Sequence, residues 1–135
     1  MRVGLRSPLI LIGALMLLAC PEQNAVWIED GSTTTNLTFG VGRDRDGRGP
    51  PLSQLILFAV RQCLVGDDSE VLVWEIMQED TLLPIPTRIR YGEPPPGYIT
   101  RVGPQDLVPG CYEAFLLGSG RATFEVGSDG TVSAV

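Results

Sequence analysis

Few side chains in this 135-residue chain could do chemistry. Acids cluster at Asp67-Asp68-x-Glu70 and at Glu79-Asp80, and Asp44-x-Asp46 is followed by Gly47. Two carboxylates flanking a glycosidic bond can hydrolyse it, but that reaction needs a deep sugar cleft, which a small chain of short strands can hardly build. Acids in turns that keep the protein soluble are the expected reading. Counted as an EF-hand loop from Asp44, position 12 falls on Leu55 where a bidentate Glu is required, and Arg43, Arg45 and Arg48 crowd the acids. A solvated, self-compensated charge run is expected there, and no calcium site.

The chain has no histidine, and every basic residue is arginine. It therefore lacks the side chain that titrates near neutral pH and the tunable amine of lysine, which removes most hydrolytic triads. The cysteines are Cys20, Cys63 and Cys111, too few without histidine for an ordinary zinc or copper site. No glycine-rich phosphate loop follows a strand and opens a helix. The expectation is a protein that is not an enzyme, with no cofactor and no metal.

The elements that must position these residues read as strands. Ala25 to Ile28 is a first strand, ended by the turn Glu29-Asp30-Gly31-Ser32. Thr34 to Val41 alternates, with Leu37, Phe39 and Val41 on one face. Leu52 to Gln62 is apolar on both faces, which predicts a strand in the middle of a packed sheet; an amphipathic helix is the rival, since Leu, Ala and Gln are good helix formers, but the segment is short. Val71 to Ile76 brings Leu72, Trp74 and Ile76 to one side. Gln78 to Leu83 is ambiguous and could be a turn. Ile85 to Tyr91 is expected at a sheet edge because of Pro84 and Pro86. Gly92 to Gly97, with Pro94, Pro95 and Pro96, is a stiff exposed loop. Tyr98 to Val102 and Cys111 to Leu117 are further strands around a long turn. Ala122 to Val126 and Thr131 to Val135 close a hairpin across Asp129-Gly130. Eight or nine short strands at regular spacing predict an all-β fold, a small antiparallel β-sandwich or barrel.

The opening segment is of another kind. Arg2 and Arg6 supply a positive start, Leu9 to Leu18 is nearly all aliphatic, and small Ala19 precedes Cys20, the order of a secretory signal peptide. A spanning helix needs about 20 apolar residues, and this run stops at Cys20 with Pro21 and Glu22 behind it. Leu17-Leu18-Ala19-Cys20 resembles the lipobox of bacterial lipoproteins. That resemblance implies a signal helix over residues 1–19, recognition of Leu17, Leu18 and Ala19 by the lipid-requiring signal peptidase, and acylation of Cys20 as residue one of the mature protein. Residues 20–25 are then a short tether and 26–135 the domain. The membrane is met through acyl chains on Cys20. By resemblance to known sorting patterns, Pro21 in place of Asp permits transport to the outer membrane of a Gram-negative cell, with the domain in the periplasm or at the cell surface.

Export bears on the two remaining cysteines. An even pair on the oxidising side of a membrane reads most simply as a Cys63–Cys111 disulfide, worth about 4 kcal/mol on the chain-entropy model. Removing Arg2 and Arg6 with the signal leaves 8 basic against 16 acidic side chains, a net −8. That field repels nucleic acid and anionic lipid headgroups, which are not expected as partners, and with no polybasic patch the membrane contact is expected from the acyl chains alone.

Leu107-Val108-Pro109-Gly110-Cys111-Tyr112 resembles the Leu-x-Pro-Gly-x-Tyr corner of many immunoglobulin-like sandwiches, in which the tyrosine hydroxyl bonds back to the corner. Cys63, Trp74 and Cys111 resemble that family's disulfide packed on a tryptophan. In antibody-type domains the corner tyrosine precedes the second cysteine by two residues. Here Tyr112 follows Cys111, and neighbouring strand residues face opposite sides, so the two cannot share one core. The resemblance implies an immunoglobulin-like architecture and a role in adhesion or ligand binding, without naming a ligand.

Trp27, Trp74, Tyr91 and Tyr98 could line a binding face, although strand aromatics are more often core or cross-strand pairs. Tyr98, beside the proline loop, is the candidate contact residue. The leading expectation is a lipid-anchored, non-catalytic envelope module binding a protein or glycan, and the alternative is a small disulfide-closed inhibitor of an envelope or host enzyme. A loop shaped to a cleft would favour the inhibitor, a flat apolar patch the binding module, and a pocket with converging carboxylates an enzyme.

Overall fold

The computed structural model describes residues 26–42, 52–64, 66, 69–118 and 120–135. Residues 1–25, which hold the expected signal and tether with Cys20, residues 43–51 with Asp44 and Asp46, and Asp67 and Asp68 lie outside them. Nine strands and no helix occur among the described residues: β1 (Val26–Ile28), β2 (Thr38–Val41), β3 (Leu57–Gln62), β4 (Leu72–Gln78), β5 (Arg88–Arg90), β6 (Tyr98–Val102), β7 (Gly110–Leu116), β8 (Gly120–Val126) and β9 (Val132–Ala134). They form a three-stranded sheet of order β1-β2-β5 and a six-stranded sheet of order β6-β4-β3-β7-β8-β9, antiparallel throughout. The two sheets stay open and pack face to face, so the fold is a β-sandwich and not a barrel.

The placement of β3 follows from its residues. Phe58, Ala59 and Val60 are all fully buried, and a strand with no polar face has to lie between neighbours, here β4 and β7. Arg88 and Arg90 flank buried Ile89 on β5, which lies at the edge of its sheet as the nearby prolines predict.

Three strands are shorter than their apolar patterns suggest. Residues 34–37 belong to a tight turn in which the backbones of Thr33 and Asn36 bond to each other, yet Leu37 is still buried. Residues 52–56 precede β3 outside the ladder, while Leu52 and Leu55 are buried in the core. Residues 84–87 precede β5, because Pro84 and Pro86 have no N–H to give a ladder. Burial, which the pattern reports, continues past the point where pairing stops.

Six aromatic rings run through the core in one chain. Tyr112 stacks on Phe124 at 5.6 Å, Phe124 meets Phe39 at 5.8 Å, Phe39 meets Phe58 at 5.1 Å, Phe58 meets Trp74 at 5.8 Å and Trp74 meets Tyr91 at 5.2 Å. Phe39 comes from the small sheet and Phe58 and Phe124 from the large one, so this chain joins the two layers. Tilted and edge-to-face contacts of this kind add about 0.5–1.5 kcal/mol each beyond the area they bury.

Candidate interaction surface

The two cysteines are bonded, with Cα atoms 5.4 Å apart. Gln62 pairs with Tyr112, so Cys63 and Cys111 stand opposite each other one step further, and the Cys63 N–H donates to the Cys111 carbonyl at 3.0 Å. The bridge therefore joins adjacent strands within one sheet. It does not pack on Trp74 as the immunoglobulin resemblance implied. Tyr112, the next residue along β7, enters the core, and alternation turns Cys111 to the outer face. The Tyr112 hydroxyl donates to the Val108 carbonyl at 2.7 Å, the bond expected of the corner.

Tyr98 is not presented for contact. It is 7% exposed, and its hydroxyl donates to the Leu55 carbonyl at 2.6 Å in a buried bond. The phenol is the polar cap of a core residue, and burial raises its pKa. Trp74 is likewise in the core. Tyr91 is half-buried, with its hydroxyl donating to the Gln105 carbonyl at 2.6 Å. Desolvation pushes its pKa up to about 12, against a smaller lowering by that hydrogen bond.

Two of the acids seen in the sequence have partners nearby. Glu70 pairs with Arg61, and Asp80 accepts the Leu82 N–H at 2.9 Å, closing the turn after β4.

A different set of residues meets on the outer face of the six-stranded sheet. The ladder aligns Ile99 of β6 with Met77 of β4 and Met77 with Leu57 of β3, and the Leu117 N–H bonds to the Leu57 carbonyl. These four side chains make one apolar row across β6, β4, β3 and the residue just after β7; Met77 and Leu57 are half-buried, with Arg101 Nη1 3.3 Å from the Met77 sulfur, and the ends are open, Ile99 43% and Leu117 62% exposed. In the next row Glu75, Ala59, Phe115 and Arg121 stand side by side. Ala59 is fully buried yet outside the core cluster, so it is covered by its larger neighbours on this face.

Arg61 fixes the third row. Its Nε and Nη2 donate to Glu113 at 3.0 and 2.8 Å, its Nη1 donates to Glu70, and its guanidinium lies 4.7 Å from the centroid of the Phe115 ring. The hydrogen bonds to Glu113 and then Glu70 raise its pKa further. Arg121 reaches the other oxygen of Glu113 at 3.8 Å, and Arg101 lies 3.8 Å from Glu75. Arg61 thus gives two N–H groups to one oxygen of Glu113 and a third to Glu70 while its plane lies over Phe115, a combination that the guanidinium allows and an ammonium does not. The result is an apolar row bordered by charges already paired in place, which would lose little side-chain entropy on contact.

Apart from Glu70, weighed above as a turn acid, none of these residues was a candidate in the sequence. The available signal was the two-sided apolar character of β3, which explained burial in the middle of a sheet but not that one of its faces would remain uncovered.

No family model, curated protein or solved structure matches the chain.

Proposed function

We propose that the protein is a lipid-anchored lipoprotein of the bacterial envelope, exported and cut before Cys20, whose sandwich domain is a non-catalytic module that binds a protein partner. The observation that carries the binding role is the row Ile99, Met77, Leu57 and Leu117 on the outer face of the large sheet. Ile99 and Leu117 leave apolar surface in water, which costs free energy until a partner covers it. A site on the face of a sheet favours a binding module over an inhibitor whose loop plugs a cleft. The lipid anchor rests on the order of charge, apolar run and lipobox-like residues at 1–20.

The strand order supports the finer reading of the fold. Within the six-stranded sheet β4-β3-β7-β8 faces β1-β2-β5, with β6 and β9 added at the edges, and the tyrosine corner at the entry to β7 makes β7 the counterpart of strand F on this reading.

Two experiments test the proposal. Cys20→Ala is expected to leave the precursor uncut and unlabelled by palmitate, and a labelled mutant would refute the anchor. Photo-cross-linking side chains placed at position 99 or 117 in intact cells are expected to capture one protein, and Leu117→Glu introduced alongside position 99 to abolish that capture. Capture from position 90, on the opposite sheet, with none from 99 or 117 would refute the assignment of the face.

A further inference from the structure

On the outer face of the small sheet, Trp27 lies between Val26 and Ile28, both of which are in the core, so the indole points the other way. It rests on its cross-strand partner Gly40: a Cβ there would fall inside the indole, and Cη2 lies 3.7 Å from the Cβ position of Gly42. Gly40 pairs in turn with Arg88, and Thr38 with Arg90, so the same face carries two arginines, both exposed. Arg88 Nε stands 3.5 Å from Glu29 and Arg90 Nε 3.9 Å from Glu93, distances at which the charges face each other without tight hydrogen bonds. A polar groove of about 240 Å³ adjoins, its lining including Glu29, Asp30, Ser32, Asn36, Thr38 and Arg88. The face thus combines a flat amphipathic ring with loosely held cations and carboxylates.

We infer that this face lies against the bilayer, with Trp27 at the level of zwitterionic phospholipid headgroups, Arg88 and Arg90 meeting their phosphates and Glu29 their ammonium groups. The inference rests on the lipid-anchor reading, and chain length adds to it. Six peptide links separate Cys20 from Val26, a span of about 20 Å at most, so β1, an edge strand that carries Trp27 on its outer side, is held within that distance of the surface in which the acyl chains sit. A short tether sets an effective concentration of order millimolar, at which even a weak contact is substantially occupied. Tryptophan favours the membrane–water interface because its body is apolar and its N–H polar, and arginine can carry a charged tip on an apolar stem. With the small sheet on the membrane, the row at Ile99, Met77, Leu57 and Leu117, on the far side of the sandwich, faces outward for a partner.

The two tryptophans make the test direct, since Trp74 is fully buried in the core. The acylated mature protein is reconstituted into vesicles of phosphatidylethanolamine and phosphatidylcholine, 3:1, with and without lipids brominated near the headgroup end of the acyl chains. Flotation is measured alongside tryptophan emission. The expected result is quenching of the Trp27 share of the emission with the Trp74 share intact. Trp27→Phe should remove the quenchable share altogether, and Arg88→Gln with Arg90→Gln should lower it at least twofold. Protein that floats with the vesicles but is not quenched would overturn the docked face and leave the anchor standing. Protein that does not float would overturn both. Trp27 emission unmoved by brominated lipid but shifted by soluble envelope glycan would overturn the inference in favour of sugar stacking.

Discussion

Tyr98 and Tyr112 offer a controlled comparison, because each ring is buried and each hydroxyl donates one hydrogen bond to a backbone carbonyl, at 2.6 and 2.7 Å. Replacing either by Phe keeps the ring and deletes only the hydroxyl. The acceptors differ. Val108 is an exposed loop residue whose carbonyl can turn to water, so Tyr112→Phe forfeits a net hydrogen bond, about 1 kcal/mol. Leu55 is a buried core residue, and its bond to Tyr98 is buried, so Tyr98→Phe also strands an acceptor. That raises the expected loss to about 2–3 kcal/mol. At about 4 °C per kcal/mol for a domain of this size, Tyr112→Phe should lower Tm by about 4 °C and Tyr98→Phe by about 8–12 °C. Thermal melts followed by circular dichroism measure both, and urea titrations with unchanged slope would show that the folded state is otherwise the same. Equal losses, or a larger one for Tyr112→Phe, would refute the reasoning. A Tyr98→Phe protein of full stability that fails to bind its partner would restore Tyr98 as a contact residue.

Three further outcomes are expected. Cys63→Ser with Cys111→Ser opens a bridge between residues 48 apart, for which chain entropy gives a loss of about 4 kcal/mol; a urea midpoint unmoved by the pair of substitutions would show that the ladder between β3 and β7 does this work unaided. Gly40→Ala forces the Trp27 indole off its seat and should cost about 1–3 kcal/mol with a shift in tryptophan emission, whereas Thr38→Ala on the same face should leave the emission in place. At high pH, Tyr91 stays protonated in the folded state up to about pH 12 while the unfolded chain loses that proton near 10. The folded state then binds the extra proton, so stability should fall as pH rises from about 10 to 12. Tyr91→Phe should flatten that fall, and a parallel decline in the variant would refute the assignment.

Much of this architecture was legible before any coordinates. Leu37, Phe39 and Val41 alternate because every second residue of a strand meets the core, and all three are buried. Pro84 and Pro86 announced an edge, and Asp129-Gly130 a turn. The corner residues from Leu107 to Tyr112 specified a local bond that does not depend on the rest of the chain. The strand ends were less legible, since Leu52 and Leu55 are apolar for the sake of the core and not of a ladder.

The sites divide along the same line. The identity of Cys63 and Cys111 as a pair came from counting, but that they lie on the outside of one sheet depends on which neighbour each strand takes. Tyr98 beside its proline loop read as accessible, and it is buried because Leu55, 43 residues earlier, supplies the acceptor for its hydroxyl. Local order, face alternation, turn chemistry and the signal-like opening are properties of neighbouring residues, so the chain itself determines them. The row from Ile99 to Leu117 and the seat of Trp27 on Gly40 join residues from separate strands. Only the pairing and register of those strands, set by how the two sheets bury their common core, could decide that these residues meet.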